Sequence, residues 1–310
     1  MSKNSFSFID LFAGIGGLRL GFESVGGNCI FSSEWDKYAQ QTYEANFKEK
    51  PYGDISKIRE EEIPFFDILL AGFPCQPFSL AGHKKGFSDA RGTLFFDILR
   101  IVKHRYPSVV FLENVKHLAK HDKGRTLDVI LNSLKDLGYK VFNKVLNAKD
   151  FGVPQNRERI YIICFKDDVN FSFPEPLQVE TKVFDILEAK VDAKYTISDK
   201  LWSGHKRRKE MHQKKGNGFG YSLFDETSKY TSTLSARYYK DGSEVLIKQK
   251  TRNPRKITPR EASRLQGFPE NYIIPVSDTQ AYKQFGNSVA VPVIKILAKE
   301  VLKALNIKEL

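Results

Sequence analysis

Short apolar runs alternate with segments of helical period along the first half of the chain, and this alternation restricts the fold more than any other feature. Strands that are separated by helices favour a mostly parallel sheet with helices on both faces. The predicted strands cover 6–12, 28–34, 65–72, 108–115 and 158–165, and the predicted helices cover 36–47, 92–106 and 124–138. We therefore predict a doubly wound α/β fold.

The positive charge of the chain is concentrated in one later segment. Beyond about residue 186 the alternation breaks into short segments with turn signals, and helical spacing returns at 291–305. Residues 200–256 hold 15 Lys and Arg against 5 Asp and Glu, a surplus of 10 out of the net charge of +12. A charge run is usually a solvated face, but basic residues interleaved with aromatic and glycine residues are typical of nucleic acid binding. We therefore predict a nucleic acid partner.

A glycine-rich turn follows the first predicted strand. Gly14, Gly16 and Gly17 let the turn tighten and let the backbone approach a ligand at the start of the next helix. Glu34 stands twenty residues after Gly14, at the end of the second predicted strand, where a carboxylate can accept both hydroxyls of a ribose. The pattern suits a nicotinamide enzyme and an adenosylmethionine enzyme almost equally, and a glycine turn can also be purely structural.

One of the three cysteines stands where a ligand crevice should open. Cys29 and Cys164 lie inside apolar strands, so we interpret them as small buried hydrophobic residues. Cys75 instead follows a predicted strand, in a loop between Pro74 and Gln76. The carboxyl ends of strands in a doubly wound sheet face the ligand crevice. Cys75 is therefore a candidate nucleophile.

Charged side chains are expected at the same crevice. Glu113 ends another predicted strand, and Arg157 and Arg159 stand two apart at the start of the last one. Residues two apart in a strand point to the same side. A surface pair of arginines and a helix-capping glutamate are the plainer interpretations. Together with Cys75, however, these residues combine a thiol, a carboxylic acid and guanidinium groups in one site.

Eight motifs, taken in order, resemble those of the DNA cytosine-5 methyltransferases, and the compact bacterial modification enzymes in particular. The resemblance covers residues 8–289, nearly the whole chain. It implies an adenosylmethionine-binding domain completed by the C-terminal helix, 1–186 plus 287–310, a smaller target-recognition domain, 187–258, and a hinge, 259–286. The motifs are "FIDLFAGIGG", "EWD", "GDI", "GFPCQPFS", "ENV", "QNRERIYIICF", "TPREASRLQGFP" and "QFGNSV".

The resemblance also implies the chemistry. Cys75 would add to carbon 6 of a cytosine that has been flipped out of the duplex, which makes carbon 5 nucleophilic towards the methyl group of adenosylmethionine. Glu113, kept protonated by burial, would donate to N3, and Arg159 would meet O2 with Arg157 in support. The segment 74–93 would close over the DNA. The base that removes the carbon 5 proton is not identified.

By the same resemblance, two further sets of residues bind the cofactor and the DNA. Asp54 would hold the adenine amine and Trp35 would pack on the ring, although a capping Asp and a core Trp are the plainer interpretations. Arg237 could read a guanine or only meet a phosphate. The cofactor set is Phe12, Gly14, Gly17, Glu34, Trp35, Asp54, Ile55, Phe73, Leu94, Asn287 and Ser288. The DNA set is Gln76, Ser79, Arg91, Thr233, Leu234 and Arg237.

The expected protein is a monomeric DNA methyltransferase of the bacterial cytoplasm and nucleoid, without a metal and with a possible cognate restriction endonuclease. No apolar run reaches the ~18 residues of a membrane span, and the amino terminus lacks the apolar core of a secretory signal. Two alternatives stay open at this point. A tRNA-directed member of the same family would share most motifs, and a nicotinamide-dependent oxidoreductase would share the glycine turn.

Overall fold

A six-stranded sheet forms the centre of the molecule. The computed structural model describes residues 6–74 and 94–307. Across the sheet the strands follow the order β2-β1-β3-β4-β6-β5, and only β6 runs antiparallel to its neighbours. The strands are β1 Phe6–Leu11, β2 Gly27–Ser33, β3 Ile68–Gly72, β4 Val109–Val115, β5 Lys140–Asn147 and β6 Glu158–Phe165. The predicted α/β fold with a mostly parallel sheet is confirmed.

Helices cover both faces of this sheet. Phe8 of β1 packs in one core with α1 and α8, and the next residue, Ile9, packs in a second core with α3 and α4. Burial on both faces explains why the parallel strands are almost continuously apolar. The helices are α1 Gly17–Glu23, α2 Lys37–Phe47, α3 Leu94–Arg105, α4 Arg125–Asp136, α5 Asp199–Lys214, α6 Pro259–Leu265, α7 Asp278–Asn287 and α8 Val291–Ala304.

Four of these elements, β5, α5, α6 and α7, were not predicted. Strand β5 lies at the edge of the sheet and carries lysines among its apolar residues, so it lacks a continuous apolar run. Helix α5 falls in the segment expected to be irregular. Only His205 of its sixteen residues is buried, so the helix has no apolar stripe for a periodicity argument to detect.

A third core joins the later part of the chain. It contains Leu234 and Tyr238, together with Leu265 of α6 and Phe285 of α7. A small sheet of β7 Leu223–Phe224, β8 Leu246–Ile247 and β9 Arg255–Lys256 lies in the same region. Residues of the predicted recognition domain and of the predicted hinge therefore share a core, and the boundaries at 186, 258 and 286 stay predictions.

The tight contact between α1 and α8 yields a stability prediction. A methyl group on Gly21 would lie 2.7 Å from Cβ of Ile294, whereas one on Gly204 in α5 would meet nothing within 4 Å. We expect Gly21→Ala to lower the free energy of unfolding by about 1–3 kcal/mol through overpacking. The same change at Gly204 should raise it, by up to about 1 kcal/mol, because alanine is the better helix former. Urea denaturation of both variants checks this, and an unchanged midpoint for Gly21→Ala would contradict the packing.

Candidate active site at the carboxyl edge of the sheet

The turn between β1 and α1 forms one wall of the candidate site. Phe12 and Gly14 both have positive φ angles, 57° and 55°, so the chain reverses sharply after β1. A side chain at Gly17 would lie 2.8 Å from Oγ of Ser288 and Cγ2 of Val289. Only glycine lets α1 begin so close to the end of α7. The structure thus brings Gly14 and Gly17 together with Ser288, three residues of the predicted cofactor set.

Glu34 connects this turn to the end of β2. Its carboxylate accepts hydrogen bonds from the backbone N–H groups of Gly14 and Asp36, both at 2.8 Å. Burial raises the pKa of Glu34 above its usual value, although these two amides oppose the rise. Each carboxylate oxygen still has a lone pair free, because an ionised carboxylate has about four acceptor positions. Glu34 can therefore also accept the hydroxyls of a ribose.

Two predicted adenine contacts, Trp35 and Asp54, follow Glu34 in the chain. The side chain of Trp35 is 78% exposed, so the interpretation of Trp35 as a core residue is wrong. Asp54 accepts from the N–H of Ser56 at 3.1 Å and caps the short 3₁₀ turn Ile55–Lys57. The capping interpretation of Asp54 is confirmed, and it does not prevent the other carboxylate oxygen from binding a ligand.

The remaining members of the predicted cofactor set lie at the ends of other elements. Phe73 follows β3 and is buried, Leu94 is the first residue of α3, and Asn287 ends α7 with its side chain exposed. A glycine cradle, a buried carboxylate and an exposed indole at the carboxyl edge of a parallel sheet fit an adenosine-containing cofactor. No metal is implied, and no group of three or more His, Cys, Asp or Glu in residues 6–74 and 94–307 could hold one.

Glu113 and Arg159 form an ion pair at this same edge. Nε of Arg159 lies 3.1 Å from Oε1 of Glu113, and Glu113 is only 7% exposed. Glu113 stands beside Gly72 of β3 in the sheet register, and Arg159 stands beside Val115 of β4. Because β6 is antiparallel, its amino-terminal end meets the carboxyl ends of β3 and β4. The pair is therefore at the crevice, and the interpretations as a surface arginine and a helix cap are wrong.

The surroundings of Glu113 raise its pKa. Burial raises the pKa of Glu113, and the charges of Arg159 and Arg157 offset this only in part. A carboxyl group with a raised pKa keeps its proton to higher pH and can then donate a hydrogen bond. Glu113 has the properties expected of a proton donor.

Arg157 occupies a different environment from Arg159. Its side chain is 1% exposed and donates to the backbone carbonyls of Leu234 and Gly286 at 3.1 Å and of Ser288 at 2.5 Å. Burial lowers the pKa of Arg157 to about 9. The surface-pair interpretation is wrong here as well. Arg157 binds protein carbonyls, so it is a positioning residue and not one that points into the crevice.

Asn114 has a role that the sequence did not reveal. Its Nδ2 donates to the carbonyl of Phe73 at 2.7 Å, and its Oδ1 accepts from the N–H of Val115. It therefore holds the end of β3 against the end of β4, just before the segment that contains Cys75. The sequence shows a polar residue, Asn114, at the end of an apolar strand, which indicates that its side chain needs a hydrogen-bond partner. That partner, the carbonyl of Phe73, is identified only when β3 and β4 are known to be neighbours.

The predicted nucleophile and part of the DNA set lie outside the described residues. This applies to Cys75, Gln76, Ser79 and Arg91. The prediction that the other two thiols are buried is confirmed, and burial raises the pKa of Cys29 to about 12 and that of Cys164 further still. Neither of these two thiols suits a nucleophile, because the thiolate is the reactive form.

The other predicted DNA contacts differ in their accessibility. Arg237 is exposed, and Thr233 is half-buried with its hydroxyl donating to the carbonyl of Asn156 at 2.5 Å. Leu234 is fully buried, and its N–H and carbonyl bond to the side chains of Gln155 and Arg157. The structure thus leaves Arg237 available to a partner and places Leu234 as an internal anchor.

Comparison with known proteins agrees with this geometry. Residues 6–303 match the family model described as "C-5 cytosine-specific DNA methylase". The chain belongs to this family of DNA methylases. It is 62% identical over 307 residues to the type II methyltransferase M.SsoII of Shigella sonnei, covering 97% of this chain and 81% of that protein. It is 47% identical over 316 residues to the type II methyltransferase M.HhaI of Haemophilus parahaemolyticus, covering 97% of this chain and 95% of that protein.

A solved structure confirms the fold. The chain resembles the Dnmt2 methyltransferase of S. pombe with a TM-score of 0.82 and 21% identity, over 97% of this chain and 99% of that one.

C-5 cytosine-specific DNA methylases transfer a methyl group from adenosylmethionine to carbon 5 of cytosine in DNA. The predicted enzyme class, methyl donor and DNA substrate are therefore confirmed. The tRNA-directed alternative is not favoured, and the family match excludes the nicotinamide oxidoreductase. No helix in the described part of the chain could span a membrane.

The position of Glu34 predicts its contribution to cofactor binding. Glu34→Ala should weaken binding of adenosylmethionine by about 1–3 kcal/mol, because charged hydrogen bonds to the ribose are lost. Isothermal titration calorimetry measures this directly. Glu62→Ala is the control, since Glu62 forms an exposed ion pair with Arg59 and should leave the affinity unchanged. An unaltered affinity for Glu34→Ala would remove Glu34 from the cofactor site.

Proposed function

We propose that this DNA methylase modifies one cytosine within a short specific sequence of duplex DNA, with Cys75 as the nucleophile. The buried pair of Glu113 and Arg159 carries this proposal. The pair supplies a proton donor and a cation at the edge of the sheet where β3 ends, and Cys75 comes three residues after Gly72 of β3. Such a pair is what an attack on carbon 6 of a cytosine requires.

In the proposed reaction the thiolate of Cys75 forms a bond to carbon 6. The electron pair of the 5,6 double bond moves towards carbon 5, and negative charge develops on N3 and O2 of the ring. Glu113 gives its proton to N3, and the guanidinium of Arg159 meets the charge at O2. Adenosylmethionine would supply the methyl group to carbon 5 and would leave as adenosylhomocysteine. A base then takes the carbon 5 proton, the double bond re-forms as the Cys75 thiolate leaves, and N3 returns its proton to Glu113.

The target cytosine has to leave the duplex before Cys75 can reach it. The base stack blocks both faces of the ring, so the nucleotide is flipped out at a cost of a few kcal/mol. We assign closure over the flipped base to the segment 74–93, with Gln76, Ser79 and Arg91 as its DNA contacts. The bond between Asn114 and the carbonyl of Phe73 fixes the point from which this segment departs.

The proposed cofactor site uses the whole predicted set around the glycine turn. Glu34 accepts the ribose hydroxyls, Asp54 takes the adenine amine and Trp35 packs on the adenine ring. Phe12, Gly14 and Gly17 shape the turn, while Ile55, Phe73 and Leu94 supply apolar surface. Asn287 and Ser288 close the site from the end of α7.

Target recognition is assigned to residues 187–258, with Arg237 and Thr233 as candidate DNA contacts. The exposure of Arg237 and the positive surplus of residues 200–256 support this assignment. Arg237 either reads a guanine or binds a phosphate.

We further propose that the enzyme acts as a monomer on DNA in the bacterial cytoplasm and nucleoid. The relatives named type II methyltransferases support a cognate restriction endonuclease as a functional partner.

Covalent trapping tests the role of Cys75. Duplex DNA with 5-fluorocytosine at the methylated position should form a stable adduct, because fluorine on carbon 5 cannot leave as a proton does. The position itself is found first by methylating unmodified genomic DNA and mapping the modified cytosines. Cys75→Ser should abolish both the adduct and turnover while it leaves DNA binding largely intact, as gel analysis, methyl incorporation and equilibrium binding would show.

A second thiol provides the matched control for this experiment. Cys29 is buried in β2, so Cys29→Ala should still form the adduct. Near-normal methylation by Cys75→Ser would refute the proposed nucleophile.

A further inference from the structure

The segment 231–236 is attached through Thr231, Thr233 and Leu234 to the residues that precede β6. The N–H of Thr231 donates to the carbonyl of Pro154, and the N–H of Asn156 donates to the carbonyl of Thr231. The N–H of Leu234 donates to Oε1 of the fully buried Gln155 at 2.9 Å. The segment that leads to Arg237 is therefore bound to the chain that leads into Arg159.

Arg157 extends this attachment to the end of α7. One nitrogen of its guanidinium donates to the carbonyl of Leu234, and the other donates to the carbonyls of Gly286 and Ser288. A single rigid planar group thus binds the segment 231–236 and the turn at 286–288 at the same time. The second of these is where Asn287 and Ser288 of the proposed cofactor set lie.

A direct backbone contact joins the same two parts. A methyl group on Gly286 would overlap the carbonyl group of Ser235 and the amide nitrogen of Ala236. The two backbones therefore touch with nothing larger than hydrogen between them. Close packing of this kind transmits small displacements, because it leaves no free volume to absorb them.

The contact continues from the turn at 286–288 to the glycine turn. Oγ of Ser288 lies within 2.8 Å of where a side chain on Gly17 would begin. An unbroken series of contacts therefore leads from Leu234 through Arg157 and Ser288 to the cofactor wall. The same Arg157 precedes β6 by one residue and Arg159 by two.

The chemistry of Arg157 makes this connection stiff. Arg157 forms no ion pair among those of the described residues, and its guanidinium donates to three carbonyl oxygens while the charge of Glu113 acts on it from nearby. A carbonyl or a guanidinium nitrogen that is left unbonded inside a protein carries a desolvation penalty. Movement of the segment 231–236 away from the turn at 286–288 would break these bonds without water to replace them.

We propose that Arg157 couples DNA recognition to cofactor binding, so that each ligand strengthens the binding of the other through the bonds of this one side chain. The proposal rests on the assignment of residues 187–258 to DNA and of residues 287 and 288 to the cofactor. This role differs from a purely structural one. Substitution of a purely structural arginine would lower the stability of the fold but would leave the effect of each ligand on the affinity for the other unchanged.

The coupling factor is the quantity to measure. It is the ratio of the dissociation constants of adenosylhomocysteine in the absence and in the presence of saturating duplex DNA that contains the mapped target sequence. Allosteric coupling factors are typically about 5- to 150-fold, and the factor has the same value when DNA affinity is measured with and without the cofactor. Adenosylhomocysteine is used because it permits no turnover.

Arg157→Lys is the informative variant, with Arg255→Lys as its control. Lysine keeps the charge but cannot reach three carbonyls with the geometry of a guanidinium fork. Arg255 is also buried, and it pairs with Glu261 through two contacts of 2.7 Å. We expect the coupling factor to fall close to one in Arg157→Lys and to stay at the value of the unaltered protein in Arg255→Lys. In both variants each ligand alone should still bind.

Three outcomes would overturn the proposal. They are a coupling factor of one in the unaltered protein, an unchanged factor in Arg157→Lys, and an equal loss in Arg255→Lys. If the unaltered protein bound neither DNA nor adenosylhomocysteine, the proposed function itself would fail, which is a distinguishable result.

A second measurement covers the case in which Arg157→Lys does not fold. Amide hydrogen exchange of the unaltered protein should slow in residues 231–236 when adenosylhomocysteine binds alone, and in residues 284–289 when DNA binds alone. Exchange that slows only where each ligand binds would contradict the coupling.

Discussion

The ion pair of Glu113 and Arg159 depends on the one antiparallel strand of the sheet. In an all-parallel sheet the amino-terminal end of β6 would lie at the opposite edge from the end of β4. Because β6 runs antiparallel between β4 and β5, its first residues stand beside the last residues of β4. This reversal brings a guanidinium from one strand to a carboxyl group from another at the edge where β3 leads towards Cys75. The other parts of the site are arranged around the same edge.

Burial of the pair changes the pKa of Glu113. A buried ion pair is weak evidence of stability, because desolvation can exceed the attraction between the charges. For Glu113 the desolvation outweighs the two neighbouring arginines, so the pKa rises. The proposed donation to N3 requires a carboxyl group that keeps its proton to higher pH than usual, and the raised pKa is in that direction. The unfavourable environment of Glu113 is therefore understandable as a functional requirement and not as a device that stabilises the fold.

The sequence predicted the elements that have an apolar run or a characteristic residue spacing. Five strands, the glycine turn, Glu34 and the buried positions of Cys29 and Cys164 could be read from apolar runs and spacing. The edge strand β5 and the polar helix α5 could not, because neither carries an apolar pattern of its own.

The relations between distant segments were also beyond the sequence. Arg157 and Arg159 look equivalent in "QNRERIYIICF", yet one binds carbonyls of Leu234, Gly286 and Ser288 and the other binds Glu113. That distinction arises from the packing of α7 and the segment 231–236 against the start of β6.

The pH dependence of kcat, measured at saturating DNA and adenosylmethionine, tests the central claim that Glu113 acts as a buried acid. The raised pKa means that the acid form is present at low pH and is lost as the pH rises through it, so kcat should fall on the alkaline side. Glu113→Gln should be slower but should lack this alkaline fall, because an amide donates to N3 at every pH. An alkaline fall of the same position and depth in Glu113→Gln would contradict the account.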